Sequence, residues 1–109
     1  MPFEIYKNHS GKFGFRLKAA NGQIVLASET YVDKSGAANG IQSVINNAKE
    51  SSFDKETATD GSPYFNMKAG NGQIIGKSEM YNSEAARDNG IASVITNALA
   101  GDEVKDLTE

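Results

Sequence analysis

Few residues in this chain have the chemistry of an active site, and their spacing limits what each can do. His9 is the single histidine, set in the turn-forming run Asn8-His9-Ser10-Gly11. One imidazole excludes a histidine pair or triad, and no serine is spaced to form a nucleophile–base couple with it. Cysteine is absent, which removes disulfides, thiolate nucleophiles and thiolate metal sites together. Carboxylates are plentiful, yet they form neither an Asp-x-Asp-x-Asp-Gly loop nor a His-Glu-x-x-His helix. Asn21-Gly22-Gln23 and Asn71-Gly72-Gln73 have the glycine of a phosphate loop. Each leads into a strand-like run rather than a helix, so a hairpin turn is expected instead. The expectation is no catalytic residue, no metal and no cofactor.

Two constellations remain. Glu29 and Glu79 recur at matching places, and paired carboxylates can do acid–base work or hold a divalent ion. Around them, Ser28-Glu29-x-Tyr31 recurs as Ser78-Glu79-x-Tyr81. Tyrosine offers a large apolar face with a polar tip, the combination found in binding hot spots. The competing reading is structural: a tyrosine packed at a strand–helix corner and a glutamate accepting a backbone N–H near the helix start. Ser28, Glu29, Tyr31, Ser78, Glu79 and Tyr81 are the candidate partner contacts.

What must position them is a repeat. A fifty-residue shift lays Lys18–Ala48 over Lys68–Ala98 without a gap, with 17 of 31 positions identical. Each copy reads in the same order. Phe3-Glu4-Ile5-Tyr6 alternates apolar and polar, the period-2 signal of a half-buried strand. Phe13, Phe15 and Leu17 share one face of a second strand, with Arg16 and Lys18 on the other. Asn21-Gly22 predicts a type I′ hairpin turn into a third strand, Ile24 to Ser28. The second copy places strands at Ser52 to Thr57, Tyr64 to Ala69 and Ile74 to Ser78, with Asp60-Gly61-Ser62-Pro63 as its first turn.

A helix follows in each copy, N-capped by Asp33 or Ser83. Ala37, Ile41, Val44 and Ala48 form an apolar stripe, widened by Ala38 and Ile45, and Ile91, Val94, Ile95 and Ala98 repeat it. Asn39, Gln42, Asn46 and Asn47, then Arg87, Asp88 and Asn97, fall on the polar side. Gly40 and Gly90 sit early in their helices, where glycine costs about 1 kcal/mol relative to alanine. Close approach to the sheet accounts for them, or else an irregular first turn. Lys49 to Ser52 is too short for a flexible tether. The tail, Gly101 to Glu109, is read as one more short strand through Glu103-Val104-Lys105-Asp106-Leu107-Thr108.

Lys-Ala-x-Asn-Gly-Gln-Ile, Ser-Glu-x-Tyr and Asn-Gly-Ile-x-Ser-Val-Ile, present in both copies and followed by a Val-Lys-Asp tail, resemble the YegP-like family of small bacterial proteins of uncharacterised function. The resemblance covers nearly the whole chain. It implies βββαβ units, single and paired or in tandem, that build one antiparallel sheet with the helices on one side. It also implies that the final strand of a unit crosses to its partner. It supplies no catalytic residues.

Length and composition agree with one body. The chain has 109 residues, and two separate fifty-residue domains without disulfide or metal would have thin cores. The fold class expected is α+β: tandem duplicated β-β-β-α(-β) units forming one antiparallel sheet with two helices on one face. The expected domain is 1–109, with repeat one at 1–50, repeat two at 51–100 and the tail at 101–109. Formal net charge is −3, with 11 basic against 14 acidic residues, and no basic cluster to neutralise phosphates, which disfavours nucleic acid. No apolar run is long enough to span a membrane. Met1-Pro2-Phe3-Glu4-Ile5-Tyr6-Lys7 lacks the apolar core of a signal peptide, so the cytoplasm is the expected location.

The function expected is a small non-catalytic binding or interaction module for a protein or small ligand, acting as a monomer through intramolecular repeat pairing. It would use the tyrosine corners or the helix-free sheet face. One alternative is an enzyme with Glu29, Glu79 and the tyrosines in a site between the repeats. Another is single-stranded nucleic-acid binding through Arg16, Lys18, Tyr64 and Lys68.

Overall fold

The computed structural model describes residues 3–100 and 104–108. Its strands are set by four hairpins of one kind. In the Asn21-Gly22 turn, Gly22 N–H donates to Ala19 O and Ala19 N–H donates to Gln23 O, both at 2.9 Å. Gly22 has φ +85°, while among the described residues none other than glycine has positive φ. The expected type I′ turn is therefore corrected. Asn21 stays at negative φ, and a type I turn is followed by a single left-handed glycine, the three-residue hairpin. Asn21 favours this form because its Oδ1 accepts from Gln23 N–H at 3.0 Å, tying the side chain across the turn. The hairpins at Gly11, Gly61 and Gly72 repeat the pattern.

Those turns connect β1 (Phe3–Lys7), β2 (Phe13–Lys18) and β3 (Ile24–Ala27), then helix α1 (Lys34–Asn46). A single 3-10 turn, Glu50–Ser52, leads into β4 (Phe53–Thr57), β5 (Pro63–Lys68), β6 (Ile74–Lys77), helix α2 (Glu84–Leu99) and β7 (Val104–Asp106). The tail strand exists as expected; Glu103 lies outside the described residues. All seven strands form one sheet in the order β4-β5-β6-β3-β2-β1-β7. The repeats join where Ala27 of β3 pairs antiparallel with Lys77 of β6. These residues are fifty apart, so the pseudo-two-fold axis passes between them. The sheet is mixed rather than wholly antiparallel, because β7 runs parallel to β1. The reason is topological: no hairpin joins β7 to β1, so the alternation of direction that hairpins impose along the sheet does not extend to that pair.

Both helices rest on one core. Phe3, Phe15, Leu17 and Leu26 of repeat one and Phe65, Met67, Ile91 and Val94 of repeat two are fully buried in a single cluster. Each helix also reaches the other repeat, α1 touching β6 and α2 touching β2 and β3. Bulges at Leu17/Lys18 and Met67/Lys68 shift the register of the inner hairpins, which turns Val25 and Leu26 in succession toward the core. At the axis the symmetry must break. A Cβ on Gly76 would lie 2.8 Å from Cγ of Leu26, its own counterpart in repeat one. Two leucines cannot share that space, and one leucine facing one glycine fills it.

Asp33 and Ser83 cap their helices as the sequence predicts, accepting from Gly36 N–H at 2.8 Å and Ala86 N–H at 3.1 Å. Four side chains depart from the helical-wheel reading, among them Asn47, half-buried with its Nδ2 donating to Ser43 O at 2.8 Å. Ala38 is exposed. Asn97 is half-buried, its Nδ2 donating to Ser93 O at 2.8 Å. Arg87 is only 6% exposed, because it stands where buried Ala37 stands in repeat one. Its charge is compensated by Asp88 at 3.3 Å and Glu84 at 3.4 Å.

The tail is tied down by charge as well as by the ladder. Lys34 Nζ donates to Asp106 Oδ2 at 2.8 Å. That ammonium, with hydrogen bonds from Thr108, holds the Asp106 carboxyl down to about 2 from its ordinary 3.8. A depressed carboxyl stabilises the fold above its unfolded value and ceases to do so as pH falls through its folded value. Acidification from about pH 4 to about pH 2 should therefore loosen β7 ahead of the core. Amide shifts of Leu107 and Thr108 should move while those of Phe15 and Leu17 stay fixed. Simultaneous movement of all four amides would contradict this.

Candidate inter-repeat cleft

The two tyrosine corners are built the same way. After β3 the chain stays against β2: Phe13 N–H donates to Tyr31 O at 2.8 Å and Tyr31 N–H to Phe13 O at 2.7 Å. In repeat two Pro63 replaces Phe13 and has no N–H to give, so only Tyr81 N–H donates, to Pro63 O at 2.8 Å. Ser28 faces inward. Its Oγ accepts from Phe15 N–H at 2.9 Å and donates to Glu29 O at 2.7 Å. Ser78 repeats this with Phe65 N–H at 3.0 Å and Glu79 O at 2.8 Å. The serines therefore satisfy backbone groups that the strand exit would leave unmet.

Each tyrosine lies flat on the core. Tyr31 stacks on Phe15 and Tyr81 on Phe65, both with ring centroids 6.3 Å apart. The helix passes over these rings at Gly40 and Gly90. A Cβ on Gly40 would lie 2.6 Å from both the Phe15 ring and the Tyr31 hydroxyl, and one on Gly90 would lie 2.7 Å from Tyr81 Cζ. Close approach, the first of the two sequence readings, is what these glycines serve. Gly90→Ala should therefore destabilise the protein by about 1–3 kcal/mol through overpacking. Helix propensity alone would give a gain of about 1 kcal/mol. Urea unfolding separates the two, and a stabilised variant would refute the packing account.

Burial raises the pKa of both tyrosines, and the neighbouring glutamate, Glu29 or Glu79, raises it further. Each glutamate thus belongs to its own corner. Both are exposed, and neither accepts a backbone N–H at its helix start, contrary to the structural reading of the motif. They leave the β3–β6 pair in opposite directions from Ala27 and Lys77. Four residues of extended chain between their levels amount to about 13 Å. A paired-carboxylate centre has no geometric basis here, and among the described residues no group of His, Asp and Glu is arranged to hold a metal ion.

What the fold does assemble is a cleft of about 280 Å³ between the repeats. Asn21, Gln23 and Ile24 of the first repeat's hairpin form one wall; Glu79, Tyr81, Asn89 and Ser93 of repeat two form the other. Nine of its eleven lining residues are identical in the two repeats. Many identities between the repeats have a task in the fold: turns, caps, core, or the close approach of Gly40 and Gly90. Glu79 and Asn89 have none; both are exposed, and among the described residues neither side chain makes a hydrogen bond or ion pair. The same holds for Glu29 and Asn39, their counterparts. The sequence reading singled out Glu79 and Tyr81 but missed Asn89, Gln23 and Ser93. The available signal was identity between repeats at exposed polar positions.

The helix-free sheet face is occupied by its own ion pairs. Glu4 holds Arg16 at 2.7 Å and Lys18 at 3.3 Å, and Lys68 pairs with Asp54. Arg16 lies over the Tyr6 ring and Lys77 over Tyr64, at 5.1 and 5.0 Å. The cations proposed for nucleic acid already face carboxylates, which removes the counter-charge that phosphate binding needs. His9 is exposed in its turn.

Fold and cleft together define a class: a tandem β-β-β-α repeat protein whose halves share one sheet and one core. The chain belongs to the family described as "Domain of unknown function (DUF1508)", whose model matches residues 8–54 and 58–106, once per repeat. It is similar to the uncharacterised UPF0339 protein YegP of Yersinia pestis, 49% identical over 64 residues, 58% of this chain and 57% of that one. A UPF0339 protein of Stutzerimonas stutzeri is 60% identical over 48 residues, 44% of this chain and 43% of that one. These alignments thus span about half the length of the curated relatives. A Treponema denticola relative is 51% identical over 49 residues, which are 45% of this chain and 84% of that protein, so it is little longer than one repeat. The solution structure of the UPF0339 protein SO3888 from Shewanella oneidensis superposes with TM-score 0.91 at 51% identity, covering 99% of this chain and 93% of that one. Among the described residues no helix is long and apolar enough to cross a membrane.

Proposed function

We propose that the protein is a non-catalytic binding module that takes a polar ligand or peptide segment in the inter-repeat cleft. One observation carries this: Glu79 and Asn89, exposed polar residues identical to their counterparts in repeat one and without a task in the fold, border one cleft. The chemistry of the walls narrows the ligand. Amides from Asn21, Gln23 and Asn89 and the hydroxyls of Tyr81 and Ser93 offer both donors and acceptors. Among the described residues Glu79 contributes the cleft's one charge, and no lysine or arginine lines it. A neutral or amine-bearing ligand is favoured over a phosphate or carboxylate. The chain acts as a monomer, since each repeat already covers the other's apolar stripe. The cytoplasm is its proposed location.

The test is a small-molecule and short-peptide screen of the full chain by ¹H–¹⁵N NMR. True ligands should move the amides of Gln23, Tyr81 and Asn89. Asn89→Ala and Glu79→Gln should each weaken such binding about tenfold, equivalent to about 1.4 kcal/mol, with unfolding midpoints unchanged. Hits that consistently map elsewhere, or that ignore both substitutions, would refute the reading.

A further inference from the structure

Asn-Gly is the dipeptide most open to spontaneous deamidation, because glycine has no Cβ to hinder ring closure onto the asparagine side chain. The chain contains it at Asn21-Gly22, Asn39-Gly40, Asn71-Gly72 and Asn89-Gly90. Their local chemistry is the same, and the fold divides them into a hairpin pair and a helical pair.

In this reaction the glycine nitrogen bonds to Cγ of asparagine and the Cγ–Nδ2 bond breaks. Ammonia leaves, taking the glycine's proton with it. Water then opens the succinimide at either carbonyl and gives aspartate or isoaspartate. Ring closure swings the glycine nitrogen toward the asparagine side chain, so its N–H must first leave the carbonyl that holds it. The free energy of that local opening sets the rate.

At Gly22 and Gly72 the opening is small. Each N–H is held by one turn bond of 2.9 Å, to Ala19 O and to Ala69 O. The asparagine Oδ1 accepts one more, from Gln23 N–H or Gln73 N–H at 3.0 Å, and Asn21 Nδ2 adds a contact to Gln23 Oε1 at 3.3 Å. Asn21 and Asn71 are exposed, and a Cβ on Gly22 or Gly72 would meet nothing within 4 Å. No packed group has to move when either tip opens.

Asn39-Gly40 and Asn89-Gly90 lie inside α1 and α2. There the glycine N–H belongs to the helical ladder, and both glycines are buried. The Phe15 and Tyr31 rings close over Gly40, and Tyr81 closes over Gly90. The nitrogen can turn toward Asn39 or Asn89 only by breaking the helix above the core, an opening close in cost to unfolding.

We propose that Asn21 and Asn71 are modification sites, converting to isoaspartate and aspartate in the folded protein while Asn39 and Asn89 stay intact. This chemistry is independent of any ligand in the cleft. Asn21 lines that cleft, so its conversion adds a carboxylate to the wall that faces Glu79.

The full chain, native and in urea, is held in mildly alkaline buffer, and its proteolytic peptides are followed by tandem mass spectrometry. Natively, Asn21 and Asn71 should convert at least about tenfold faster than Asn39 and Asn89, an opening difference of about 1.4 kcal/mol or more. In urea the rates should become similar, because the fold and not the neighbouring sequence separates them. Native conversion at Asn39 or Asn89 as fast as at the hairpins would overturn the proposal. So would hairpin sites that stay intact natively while the urea-treated chain converts at every Asn-Gly, and so would an unchanged ranking in urea.

Discussion

A chain ending at Lys49 should have no stable monomeric fold. It retains β1 to β3 and α1 but loses the β6 strand that pairs β3, the β7 strand that covers β1, and the α2 helix that lies on β2 and β3. Phe3, Phe15, Leu17 and Leu26, all fully buried in the intact protein, would border solvent on at least one side. A domain of this size has only about 5–15 kcal/mol of net stability, and exposing several such side chains at roughly 1.5–3 kcal/mol each removes it. The expected ¹H–¹⁵N spectrum is collapsed, or else dispersed only at concentrations where sedimentation shows a dimer. Association would cover the faces that repeat two covers in the intact chain. It is hindered in this chain, because two copies of repeat one would bring Leu26 against Leu26 at the axis. A well-dispersed monomeric half would refute the shared-core account.

The axis gives the second large effect. Gly76→Leu should destabilise the full chain by about 1–3 kcal/mol or more, since the new side chain must enter space held by a fully buried leucine. Leu26→Gly alone should cost at least the roughly 2–5 kcal/mol seen for emptying a buried leucine site. Together the substitutions move the one leucine to the other side of the pseudo-two-fold and should restore most of the loss. The coupling energy should reach about 2 kcal/mol, within the range for residues sharing one cavity. Urea unfolding of the four chains measures it. Additive losses would mean that the two positions do not share the space.

Local features of this fold were legible in the residues because their causes are local. Asp33 and Ser83 cap helices with their own side-chain oxygens, and alternation in Phe13, Phe15 and Leu17 specifies a strand face whatever lies beyond it. The Asn-Gly turn was placed correctly and its type was not. Positive φ is available to asparagine, but among the described residues glycine alone has it, since the Asn21 side chain instead bonds forward to Gln23. Arg87 was assigned to water because charge usually is; position on the sheet-facing stripe overrode type once Glu84 and Asp88 could neutralise it.

By itself, then, the sequence determined the repeat, its order of strands and helix, and the tyrosine corners, all of which depend on residues close along the chain. Only the tertiary structure decided that β7 lies parallel beside β1, that Leu26 faces Gly76, and that Gln23 and Asn89 border one cleft. Those facts join residues tens of positions apart, and their energies come from packing across the pseudo-two-fold. No local pattern encodes which of two equivalent repeats supplies the leucine.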